Sequence, residues 1–123
     1  MTLGFENAPV DLKQAIQSFW PMEEWANAAN IAYLESSWIW HAVDDTTDDK
    51  TPCGTVLRVV DGEKITAELS IGYFQINACN FLSWAPWTLM DPYQNAGTAH
   101  MLWDQAGQSW RPWYFSAKQL GLI

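Results

Sequence analysis

Apolar residues recur at helical spacing along three stretches of the chain. Between residues 9 and 19, Leu12, Ala15, Ile16 and Phe19 fall on one face, Pro9 suits a first-turn position and Pro21 closes the run. Pro21 also opens a second helix, with Glu23 and Glu24 in the first turn, where carboxylates oppose the positive end of the helix dipole. That helix is expected to reach about Ser37, with Trp25, Ala28, Ala29 and Ala32 as one stripe and Ile31 beside it. A third helix is expected over residues 92–106, with Asp91 as N-cap, Pro92 at the first position, Tyr93, Ala96, Gly97 and Met101 on one face, and Gly107 just past the end.

Elsewhere the periodicity changes. Residues 55–60 and 64–69 are two β-prone runs around Asp61-Gly62-Glu63, which predicts a hairpin. Trp110-Arg111-Pro112-Trp113 breaks the chain, and residues 116–120 are expected to form a last short helix. Residues 41–52 carry Asp44, Asp45, Asp48 and Asp49 and read as a solvated loop; calcium is the alternative, but the glycine and distal glutamate of an EF-hand loop are missing. Together these elements describe one α+β domain, mostly helical, over residues 1–123.

Composition narrows the classes. With 49% hydrophobic and 15% aromatic residues among 123, the chain is built to fold around a core. Fourteen acidic against six basic residues give a net charge of −8, which excludes a nucleic-acid binder that must neutralise phosphates. No apolar run reaches membrane-spanning length, so membrane insertion is not expected. Residues 1–9 lack a basic n-region and an apolar h-region, which reads as synthesis in the cytoplasm without a signal peptide. Cys53 and Cys79 match no metal or redox spacing and either pair or stand as separate buried thiols. His41 and His100 add no zinc pattern, so neither metal nor cofactor is called for.

Glu35 is the anomaly in the pattern, because it continues the apolar stripe of the second helix. An ionised carboxylate there is costly unless paired, and Ala32, Trp38 and Ile39 lie three or four residues away. Such surroundings raise a carboxyl pKa and suit a general acid; a loop anchor accepting backbone hydrogen bonds is the alternative.

Three segments resemble the lysozyme-like superfamily, in particular the soluble-lytic-transglycosylase type domains of phage lysins. They are Ile31-Ala32-Tyr33-Leu34-Glu35-Ser36-Ser37-Trp38, Ser70-Ile71-Gly72-Tyr73-Phe74-Gln75-Ile76-Asn77 and Asp91-Pro92-Tyr93-Gln94-Asn95-Ala96-Gly97-Thr98-Ala99, in the family's order across residues 31–99. The resemblance implies a lysozyme-like fold with a small β-hairpin, a cleft between helical and β parts, and cleavage of the β-1,4 bond between N-acetylmuramic acid and N-acetylglucosamine in peptidoglycan. It gives Glu35 the place of the catalytic acid. Ser70, Gly72, Tyr73 and Gln75 would line the cleft floor, with Gly72 admitting the sugar chain, and Asn95 would orient the motif or touch substrate. Two features depart from the family: Phe74 replaces the usual Leu or Met, and residues 36–69 form a long insertion before the second motif.

That insertion supplies a second carboxylate. Glu68 shares a strand face with Ser70 if the strand continues between them, and it is the candidate base or nucleophile ahead of Asp61 at the hairpin turn. Of the nine tryptophans, Trp20, Trp25 and Trp103 are expected in the core, Trp110 and Trp113 with Tyr114 are candidates to stack on sugars, and Trp84 and Trp87 for a rim. The expected function is a monomeric muramidase, a phage endolysin or tail-associated lysozyme acting on glycan strands of the bacterial wall. The alternatives are a lytic transglycosylase leaving 1,6-anhydro ends and a non-catalytic virion or binding module. Since walls are anionic, the net charge calls for targeting by a virion or another wall-binding partner.

Overall fold

The computed structural model describes residues 4–81 and 86–123 and shows an α+β protein with four α-helices and two small antiparallel sheets. Helix α1 spans Val10–Phe19 and buries Leu12, Ala15 and Ile16, the face read from its spacing. A 3-10 turn at Met22–Glu24 follows Pro21, so α2 begins at Trp25 and runs to Ser36. Ser37 and Trp38 both adopt left-handed backbone, and the Trp38 indole folds back to donate to the Ala29 carbonyl at 2.9 Å. Helix α3 spans Pro92–Gln105, capped by the Asp91 side chain, which accepts from the Gln94 amide. A 3-10 turn at Arg111–Trp113 leads into α4, Tyr114–Gln119.

Alanines at 28, 29 and 32 on α2 and at 96 and 99 on α3 are fully buried, which lets the helices approach closely around the larger side chains. Trp20, Trp103, Trp110 and Trp113 belong to the same core, with Trp20 and Trp110 stacked at 5.5 Å. No helix among the described residues is long and apolar enough to cross a membrane.

The β part differs from expectation in two places. The acidic run is not wholly loop: Val43–Asp45 forms β1, which pairs with β4, Leu69–Ile71, and β4 pairs with β5, Ile76–Asn77. Two acids of that run hold the loop that follows. Asp45 accepts from the amide and hydroxyl of Thr47, and Asp48 from the amides of Lys50 and Thr51. The hairpin forms as read, with β2 at Val56–Val60 and β3 at Glu63–Thr66 around a two-residue turn. Asp61 and Gly62 both have positive φ there, the geometry that fits a tight hairpin. Its second strand ends at Thr66, however, and Glu68 lies between β3 and β4. Cys53 and Cys79 are joined as a disulfide, which fastens the base of the hairpin to the segment after β5.

Candidate active site

Glu35 occupies the last turn of α2, where the helix carbonyls add negative potential to a partly buried carboxyl. It opens into a cavity of about 350 Å³ whose apolar lining includes Leu34, Leu102, Pro112 and Trp113. Ile39, expected beside it, is exposed. Burial raises the Glu35 pKa above the ordinary carboxyl range, the Ser116 hydroxyl pulls it down, and the negative charge of Glu68 adds to the rise. Ser116, buried on α4, donates its hydroxyl to Glu35 Oε2.

The opposite wall is the three-stranded sheet. Asp44 on β1, Ser70 on β4 and Asn77 on β5 are register partners in a row, and all three line the cavity. Glu68, two residues before Ser70, lines it too. Its backbone is pinned by Thr46, whose hydroxyl accepts from the Glu68 amide at 2.9 Å and whose amide donates to the Glu68 carbonyl at 2.9 Å. The Glu68 pKa is raised by burial, lowered by a hydrogen bond from Ser70 and raised by Asp44. Two carboxyls, one on α2 and one just before β4, thus meet in one cavity, and the charge of Glu68 reaches Glu35.

No family model, curated protein or solved structure matches this chain. The site stands on its own chemistry.

Of the residues expected at the site, Glu35, Glu68, Ser70, Gln75 and Trp113 line the first cavity. Gln75 is committed to the fold at its donor end, giving Nε2 hydrogens to the carbonyls of Ala42 and Gly72. Tyr114 lines a second cavity of about 420 Å³ that shares Glu35, Glu68, Pro112 and Trp113 with the first.

The structure overturns two expectations and decides a third. Tyr73 is not on the cleft floor: it is buried, and its hydroxyl donates to Asp11 on α1 at 2.7 Å. Asn95 lines neither of these two cavities and takes the first of its two expected roles, orienting the motif: it accepts from the Phe74 amide and donates to the carbonyls of Ile71 and Leu89, each at 2.8 Å. Trp110 packs against Trp20 and donates to Glu24 at 2.9 Å, so it is a core residue and no sugar platform.

The close approach at Gly72 is likewise internal. A Cβ there would lie 2.3 Å from Asn95 Nδ2 and 2.5 Å from the Leu89 carbonyl oxygen. Trp87 is exposed, while Trp84 lies outside the described residues. The sequence reading missed Asp44, Asn77 and Ser116. Asp44 and Asn77 become visible only once β1 and β5 are paired with β4, and no local signal marks Ser116.

Proposed function

We propose that this chain is a peptidoglycan-degrading glycosidase of lysozyme-like fold, a muramidase cleaving between N-acetylmuramic acid and N-acetylglucosamine. The observation that carries the reading is the meeting of Glu35 and Glu68 in one cavity, the first on a helix and the second beside the sheet. Glu35 shares the cavity with Leu34, Leu102 and Trp113, and its burial favours the protonated form, whereas Glu68 accepts a hydrogen bond from Ser70, which favours its anion.

Glu35 then protonates the glycosidic oxygen as the bond breaks. With Oε2 held by Ser116, its proton resides on Oε1. Glu68 stabilises the developing oxocarbenium charge and completes hydrolysis, as base toward water or as nucleophile at the sugar carbon. Trp113 gives the cleft an apolar wall against a sugar face, and Tyr114 supports the second cavity. A phage lysin or virion-associated lysozyme, carried to the wall by another component, is the setting that suits so acidic a chain.

The test is digestion of purified peptidoglycan followed by mass spectrometry of the released muropeptides. Reducing muramic acid ends are expected. Anhydro ends would make the enzyme a transglycosylase, and no release would leave a binding module.

A further inference from the structure

The β2–β3 hairpin is a sheet of its own, unjoined to the three-stranded sheet, and all five residues of β2 are exposed. Packing therefore does little to hold it. It is tied at its base and at its tip. At the base stand the Cys53–Cys79 disulfide and two backbone bonds, Gly54 amide to Ala67 carbonyl and Ala67 amide to Thr55 carbonyl. At the tip, Asp61 pairs with Lys118 at 3.0 Å and Glu63 with Arg111, bridging to α4 and the turn before it.

These pairs join the two walls of the second cavity. Glu63, Lys64 and Ile65 line it from the hairpin and Arg111, Tyr114 and Phe115 from α4 and the turn before it, and Glu35 and Glu68 line it too. The cations stay on the fixed wall whether or not the pairs are made, because Arg111 and Lys118 both lie over the Tyr114 ring, at 5.0 and 5.7 Å. Both pairs are substantially exposed, and exposed pairs are weak and screened by salt. A long glycan running through the cleft past the two carboxyls has to pass between walls that these side chains connect.

We propose that the hairpin is a hinged flap over the second half of the cleft, fixed at its base by the disulfide and latched at its tip by the Asp61–Lys118 and Glu63–Arg111 pairs, and that it opens to admit a polymer. What enters rests on the glycosidase reading; the latch itself does not.

The test uses the full oxidised chain and reverses the outer pair, whose residues line neither cavity. Asp61→Lys and Lys118→Asp, made singly, are expected to speed amide hydrogen exchange over residues 56–66 by about three- to tenfold, the range for a weak exposed pair turned repulsive. Amides of α1, α2 and α3 should not change, and the double reversal Asp61→Lys with Lys118→Asp should return exchange close to the parent. On substrate, each single variant should lower KM for long glycan strands several-fold and leave turnover of a short oligosaccharide unchanged. Hairpin exchange equal in parent, single and double variants would overturn the flap. Exchange that responds in a protein cleaving no glycan would sink the glycosidase reading alone; glycan cleavage with unresponsive exchange would sink the flap alone.

Discussion

The helical and β parts of this molecule are held together by different physics. In the helical part, Leu12, Ile16, Ala28, Ala32, Ala96 and Ala99 are fully buried, and the tryptophans fill the space between helices. The β part buries Ala67, Ser70, Ile71 and Ile76 but leaves the hairpin strand β2 exposed throughout, and it depends on a disulfide, ion pairs and side-chain hydrogen bonds. Glu35 comes from the first part and Glu68 from the second. A close-packed scaffold holds Glu35, and a lightly tethered wall brings Glu68 to the same cavity, so the cavity is only as well formed as the ties between them.

Cutting the covalent tie should have the largest effect. Closing the chain between residues 53 and 79 restricts the unfolded state, and a loop of this size contributes about 3 kcal/mol. Cys53→Ser with Cys79→Ser is therefore expected to lose about that much in urea unfolding. Native-state hydrogen exchange should rise over residues 54–68 while α1, α2 and α3 keep their protection; uniform loosening of both parts would erase the distinction drawn here.

Asn95 is the polar tie. Asn95→Ala leaves the Phe74 amide and the Ile71 and Leu89 carbonyls without their partner, an expected loss of about 3 kcal/mol. Chemical denaturation would measure it, and a change under 1 kcal/mol would mean that water replaces the amide without penalty. Glu68→Gln is expected to act on chemistry instead, lowering turnover about a hundredfold with glycan binding nearly intact. Turnover within a few-fold of the parent would remove the β wall from the reaction and leave the helical part to act alone.

What was legible in the sequence divides along the same line. The helices were marked by local signals, Pro9, Pro21 and Asp91-Pro92 at their starts and Gly107 beyond the third, and these fell within a few residues of the observed ends. Glu35 was legible because it interrupts an apolar stripe; Glu68 lines the cavity with Ser70 as expected, although the strand that was to join them is broken between Thr66 and Leu69. Partnerships across long stretches of chain were not. Strand β1 looked like loop because its partner is β4, beyond the whole hairpin. Tyr73 reaches Asp11 and Trp110 stacks on Trp20, so residues that resembled cleft linings by motif or position are core. Ser116 is an unremarked serine until folding sets it against Glu35.

The central claim is that Glu35 works as a buried acid, and its pKa fixes the sign of a direct test. A folded pKa raised above the unfolded value near 4.3 means that the native state holds the proton more tightly. That stabilisation is present below the unfolded pKa and lost as pH rises through the folded one, so at pH 7 the ionised side chain costs stability. Gln mimics the protonated acid and keeps an acceptor for Ser116. The measurement is the melting temperature of Glu35→Gln from pH 4 to 7, beside wall hydrolysis at each pH. The variant is expected to melt with the parent at pH 4, to melt at the same or a higher temperature at pH 7, and to lose activity about a thousandfold. A variant that melts several degrees lower at pH 7 yet still clears walls would make Glu35 a structural anchor and contradict the account.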